Sequence, residues 1–307
     1  MEIFLQQIIN GLVQGSVYAL VALGYTMVYG ILGLINFAHG EVVMIGAMLA
    51  ISALTALLGI GAPPLLALPL SAALAMLGCM ALGYGIERAA YRPLRHAPRL
   101  APLITAIGVS IVLQNLAMMV WGREYHSFPQ LIANTPHNIG GAIINDIQII
   151  IFVLALAIMA GLMLLVHKTR LGRAMRAVAE NQHAAQLMGV DINRVISITF
   201  MLGSALAAIA GMMVSANYGL AHYYMGFLLG LKAFTAAVLG GIGNLRGAML
   251  GGLLLGLIES LGAGYIGDLS GGVFGSNYQD VFAFFVLIVV LVFRPSGLMG
   301  EKVSERA

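Results

Sequence analysis

The sequence predicts an all-α protein, a polytopic transmembrane helical bundle of about 8–10 membrane segments, on three observations. Of its 307 residues, 60% are hydrophobic and only 9% charged, against about a quarter charged in a soluble domain. Apolar runs recur almost end to end, most of them near the ~20 residues that a helix rising ~1.5 Å per residue needs to cross ~30 Å of hydrocarbon. Glycines stand four apart within and beside those runs, a spacing that lets helix backbones approach closely in lipid. What remains between the runs is too short for a soluble domain, so residues 1–307 are expected to form a single transmembrane domain.

The first run, Ile8 to Gly30, follows Glu2 rather than a basic patch, and no small-residue cleavage site succeeds it. A removable secretory signal is therefore not expected, and Met1 onward reads as mature protein. Val42 to Ile60, Leu65 to Ile86, Leu103 to Trp121, Ile147 to Val166 and Val195 to Asn217 come next, and Ala248 to Ile266 follows further on. Two runs are weaker. Met225 to Gly243 is glycine-rich and contains Lys232, and Val281 to Phe293 has only about 13 residues unless Asp280 and Arg294 sit at the interfaces.

Charge orients these runs. Arg88, Arg92, Arg95 and Arg99 fill one short loop; Lys168, Arg170, Arg173, Arg176 and Arg194 a second; Arg294, Lys302 and Arg306 the tail. Clustered basic residues mark the cytoplasmic side. The longer loops left on the other side, Gly122 to Asp146 and Gly267 to Asp280, hold Arg123 alone. Nine crossings put the N-terminus outside, and a re-entrant segment near Asn36 or Lys232 would reverse that end.

Gly11 and Gly15, Gly226 and Gly230, and the series Gly243, Gly247 and Gly251 with Gly252 and Gly256 are expected at helix contacts. A polar, glycine-containing break appears twice, as Gly33-Leu-Ile-Asn-Phe-Ala-His-Gly-Glu41 and as Gly240-Gly-Ile-Gly-Asn-Leu-Arg-Gly247. The pair reads either as a diverged internal repeat or as chance similarity; transporters place pathways at interrupted helices of this kind. Asn36, His39 and Glu41 sit where the first break meets the inner face, as candidate gate residues or as helix caps.

The basic loop, residues 168–194, carries the most functional information. Arg173-Ala-Met-Arg-Ala-Val-Ala-Glu-Asn181 is amphipathic, and His183-Ala-Ala-Gln-Leu-Met-Gly189 sets two alanines before a glycine, with Asp191 placed to cap the next span. The spacing predicts a helix lying across the membrane face, a tight turn and a return into the membrane. Such a segment offers a soluble partner something to grip; on spacing alone, an ordinary positive-inside loop fits it equally.

Three stretches then carry a specific resemblance: Gly24-Tyr-Thr-Met-Val-Tyr-Gly-Ile-Leu-Gly-Leu-Ile-Asn-Phe-Ala-His-Gly-Glu41, the loop from Gly172 to Gly189, and Lys232-Ala-Phe-Thr-Ala-Ala-Val-Leu-Gly-Gly-Ile-Gly243. Nearly end to end the chain resembles the permease subunits of bacterial branched-chain amino-acid ABC importers, and among them the shorter of two paired permeases. The loop is similar to the motif such permeases present to their ATPases, with His183 where the motif has glutamate and no proline after Gly189. The resemblance implies an ABC-importer permease fold in a bacterial inner membrane and an ATPase-coupling loop containing Gly172, Arg173, Arg176, Glu180, Ala184, Ala185 and Gly189. It also implies a second permease subunit, two cytoplasmic ABC ATPases and an external solute-binding protein. Leucine, isoleucine and valine are the implied cargo, with urea or short amides as the alternative because related permeases carry them. A self-sufficient, ATP-independent channel is the competing class.

Several functions find no residues to perform them. No P-loop occurs, and the only lysines are Lys168, Lys232 and Lys302, so any ATP is expected on partner subunits and no cofactor on this chain. Leu269-Ser-Gly-Gly-Val273 imitates an ABC-ATPase signature but falls in a short external loop and reads as a glycine turn. The seven histidines are scattered, no His-Glu-x-x-His or Gly-x-Ser-x-Gly motif exists, and neither metal binding nor an enzymatic activity is expected. Cys79 lies in an apolar run and reads as a packing residue. A net charge of +3 is too small to suggest nucleic acid. Two charges lie inside apolar runs, Lys232 and Glu259, at roughly 2.5–3.5 kcal/mol each on insertion scales; they either line the transport route or form a structural ion pair.

Overall fold

A computed structural model describes residues 2–95, 97–98, 100–131, 134–271 and 278–300. Arg99, Lys302, Arg306 and the end of the Leu269–Val273 turn lie outside the described residues. In chain order the helices are α1 (Glu2–Leu32), α2 (His39–Gly59), α3 (Pro64–Ile86), α4 (Leu100–Trp121), α5 (Asp146–Lys168), α6 (Arg170–Glu180), α7 (Gln182–Leu187), α8 (Ile192–Tyr218), α9 (Met225–Gly240), α10 (Leu245–Leu269) and α11 (Gln279–Phe293). Each of the nine apolar runs is a helix. Seven are long and apolar enough to cross a membrane, and the two weak runs, α9 and α11, are the shorter ones.

Helix ends depart from the apolar runs for local reasons. α1 already includes Glu2, whose carboxylate in the first turn complements the helix dipole. α3 runs on through a π-helical turn, Glu87–Tyr91, and a 3-10 turn, Arg92–Leu94, so the first basic loop is largely helical. α9 stops at Gly240, short of the expected Gly243, because Gly241 and Gly243 take φ of 106° and 97°, outside helical space. The loop after α4, predicted external and read from sequence only as loop, contains a small hairpin, β2 (Pro136–Ile139) with β3 (Ala142–Asn145), preceded by β1 (His126–Ser127), which pairs antiparallel with β4 (Leu220–Ala221).

The described residues form two compact units. One comprises 27–131 and 160–231. Its centre is α2 packed on α3 and α8 through small residues: a Cβ on Gly46 would lie 2.4 Å from Ala208 Cα, and one on Gly211 only 2.1 Å from the Val43 carbonyl oxygen. Met44, Ala47, Met48 and Ile51 of α2 form an apolar cluster with Ala117 of α4 and Ala221 of β4. Trp121 Nε1 donates to Ser52 Oγ at 2.8 Å. The other unit, 1–26, 132–159 and 232–307, is built on α1 against α10 and on the hairpin of α9 with α10. The Gln6 amide there brackets β3, donating to the Ile143 carbonyl (2.9 Å) and accepting from its N–H (2.7 Å).

Within each unit the loop contacts fall into two sets. β1 pairs with β4, and Gln6 with Ile143, joining segments predicted external. On the opposite side Gln182 donates to the Ile31 carbonyl, Arg95 to Asn193, and Asn244 to the Met299 carbonyl. Leu65, Leu66, Ile104, Ile111 and Met119 are exposed on α3 and α4, and Val153 on α5; large apolar side chains exposed along such helices belong in lipid.

Candidate functional site

The basic loop folds as α6 and α7, each with a built cap. Thr169 Oγ1 accepts from the Gly172 N–H (3.0 Å), Asn181 Oδ1 from the Ala184 N–H (2.9 Å), and Asp191 Oδ1 from the Arg194 N–H (3.1 Å); such caps satisfy donors that a helix start leaves unpaired. α6 doubles back on α5 so tightly that a Cβ on Gly172 would sit 2.2 Å from the Val166 carbonyl oxygen. Gly172, Met175 and Val178 are buried along one stripe of α6, and Ala185 is buried on α7. Arg173, Arg176, Glu180, His183, Ala184 and Gly189 are exposed. Gly189 makes the reversal into α8 at φ 83°, a conformation glycine adopts without strain. Of the residues assigned to the loop, Gly172 and Ala185 therefore face protein, and the other five face outward. Sequence reasoning missed the tip: Leu187 and Met188 are 77% and 87% exposed. Their signal was two apolar residues immediately before a turn glycine in a basic loop.

At the first break, α1 ends at Leu32 and α2 begins at His39. Asn36 accepts through Oδ1 from the Ala38 N–H (3.2 Å) and from the Tyr91 hydroxyl (3.1 Å), so it stabilises the turn into α2. His39 and Glu41 are buried in the first turn of α2. Glu41 Oε1 accepts from Ser110 Oγ at 3.2 Å, and Ser110 stands at the middle of α4. This carboxyl is consequently level with the middle of α4.

Lys232 and Glu259, the two intramembrane charges flagged from sequence, are brought together. The Lys232 ammonium donates to Glu259 and also pairs with Asp280 at 2.7 Å. It lies 5.8 Å from the ring centroid of Tyr18, within cation–π range. Asp280, noted in sequence only as an interface residue, is the third member.

Glu87 was not singled out in sequence, because it sits among loop arginines. It is fully buried and accepts from Arg92 (2.8 and 3.2 Å), from Arg95 and from Ser197 Oγ (2.8 Å). The network ties the end of α3 to the start of α8 beside the basic loop. Glu87→Gln keeps the shape and discharges the group, and is expected to destabilise the protein by about 2 kcal/mol, the scale of a hydrogen bond to a charged partner. Thermal unfolding of the purified protein in detergent checks it.

Among the described residues no cluster of His, Cys, Asp and Glu has the makings of a metal site. A family model described as branched-chain amino acid transport system / permease component matches residues 7–291. The chain is 49% identical over 99% of its length, and 98% of the relative's, to the high-affinity branched-chain amino acid transport system permease protein BraD of Pseudomonas aeruginosa. It is 43% identical, over 99% of its length and 97% of the relative's, to the corresponding protein LivH of Escherichia coli. A probable branched-chain amino acid transport permease of Methanocaldococcus jannaschii is 28% identical over 95% of the chain and 91% of its own length.

Proposed function

The chain belongs to the permease-component family of branched-chain amino acid transport systems, and we propose that it forms part of the translocation path of an ATP-driven importer for leucine, isoleucine and valine. It is a multi-pass membrane transport permease; its relatives are permeases, not enzymes. In the proposed assembly it pairs with a second permease in the bacterial inner membrane, receives substrate from an external binding protein and is driven by two cytoplasmic ATPases. ATP is bound by those partners.

The observation that carries the ATPase coupling is the construction of α6 and α7. Their buried stripe welds them to the ends of α5 and α8, while Gln182 holds the end of α1 through the Ile31 carbonyl (2.9 Å). Their outer face offers cationic Arg173 and Arg176 and an apolar tip, Leu187 and Met188. Exposed apolar side chains beyond the lipid level suit a protein groove. A push on the tip then reaches three helix ends as a rigid displacement, which supports alternating access driven by motor closure.

Leu187→Asp combined with Met188→Asp is expected to lower ATP-dependent uptake in proteoliposomes by about tenfold or more, an anchor loss on the scale of 2 kcal/mol or above, with unchanged amounts of permease in the membrane. A cysteine at Met188 should cross-link to the ATPase, since the native Cys79 is buried. Uptake that persists without nucleotide or ATPase would overturn the reading in favour of a channel.

A further inference from the structure

Resting on the reading of this chain as an amino-acid permease, we propose that the junction of α2 and α9 is an intramembrane substrate site. The Glu41 carboxylate receives the substrate ammonium, and the first turn of α9 receives the substrate carboxylate.

Glu41 is 1% exposed, and its second oxygen, Oε2, has no hydrogen-bond partner. A buried carboxyl oxygen left unpaired is costly unless some state of the protein supplies a donor. Oε2 is aimed at the start of α9: a Cβ on Gly226 would stand 2.7 Å from it. α9 is a 16-residue helix; its Met225 N–H donates to the His222 carbonyl (3.1 Å), and the N–H groups that follow in the first turn have no intrahelical acceptors and carry the positive end of its dipole. In the closed arrangement that positive end faces Glu41. An arriving zwitterion brings one charge of each sign, so its carboxylate takes over the helix start while its ammonium takes over Glu41. The net charge of the junction is the same before and after, which suits a site that must release what it binds.

The junction is also made to part. A Cβ on Gly40 would lie 2.5 Å from the Gly226 carbonyl oxygen and 2.8 Å from Gly230 Cα, so α2 and α9 meet backbone to backbone through three glycines. At these three positions no side chain interlocks the two backbones, and the side chains that bridge them nearby are few, Met225 of α9 on the α2 cluster among them. Beside the carboxylate lies an apolar wall, Met44, Ala47, Met48 and Ile51, with Tyr223 and Met225 packed on it. Flexible methionines adapt to branched aliphatic chains of differing shape, so the site selects the zwitterion strictly and the side chain loosely.

The test uses the whole complex, with sister permease, ATPases and binding protein, in proteoliposomes. Glu41→Gln is expected to lower leucine import at least tenfold, with unchanged amounts of assembled complex in the membrane and part of the import restored in Glu41→Asp. A second arm does not depend on Glu41→Gln assembling. Ser110→Cys, adjacent to Glu41, should be alkylated more slowly in the presence of leucine, and not in the presence of isocaproate or isoamylamine, which each keep one of the two charged groups. Glu41→Gln that imports leucine at the wild-type rate, or equal protection by a singly charged analogue, overturns the site. Failure of the wild-type complex to import leucine, isoleucine or valine overturns the substrate reading itself, a distinguishable result.

Discussion

Lys232→Met is expected to destabilise the protein by about 3–5 kcal/mol, the scale for removing one partner of a buried ion pair. The methionine fills nearly the same volume, so packing is preserved and the loss is electrostatic. What remains is Glu259, 1% exposed, and Asp280, whose side chain is 29% exposed, with no cation between them. Glu259 has no water to replace the ammonium, and the two carboxylates repel each other. Replacing the whole group by Lys232→Met, Glu259→Leu and Asp280→Leu removes the uncompensated charges along with the pair, and is expected to recover most of the stability, since apolar replacements of buried ion pairs are commonly neutral or better. Thermal unfolding of the two variants in nanodiscs checks both expectations. The same variants decide between the two readings of Lys232 and Glu259: a triple variant that imports at the wild-type rate assigns these charges to structure, and a stable triple variant that does not import assigns them to the route.

Among the described residues, the nine helices of the apolar runs were legible because a bilayer imposes length and composition together: a run such as Ile147 to Val166 has no alternative to spanning as a helix. The glycine positions were legible for a related reason, since small residues at fourfold spacing have little use except close approach. What could not be read was the identity of the partner across each approach. Glu41 meets Ser110, and Glu87 meets Ser197; each pairing is set by which helices adjoin, and nothing near either residue in the chain announces it. The basic loop was legible as a helix and turn, but its division into a buried Gly172 and Ala185 and an exposed Leu187 and Met188 depends on how α6 folds back on α5. Lys232 and Glu259 were conspicuous because ionisable residues in apolar runs are rare, yet Asp280 escaped notice at the edge of a run, where a charge is ordinary.

Gly256→Ala is the sharper test of the packing and is expected to cost about 3 kcal/mol, at the upper end for an overpacked contact. α1 and α10 run antiparallel in direct backbone contact: a Cβ on Gly256 would lie 2.4 Å from both Gly15 Cα and the Gly11 carbonyl oxygen, and one on Gly252 2.4 Å from Ala19 Cα. The seam continues to Ser260, whose hydroxyl donates to the Gln7 carbonyl at 2.8 Å. Ordinary carbon contacts are about 3.5–4.0 Å, so one methyl group must drive the two helices apart by more than an ångström, and no flexible side chain is there to yield instead. Alanine is the better helix former by about 1 kcal/mol, so any loss observed is the seam's and not the helix's. Gly262→Ala on the same helix is the control. Its Cβ would rest 3.6 Å from Phe282, an ordinary contact, and it should be neutral or stabilising by up to about 1 kcal/mol. Equal behaviour of the two variants in thermal unfolding would mean that α1 and α10 are not joined through their glycines, and that the fourfold spacing in this part of the chain serves something other than packing.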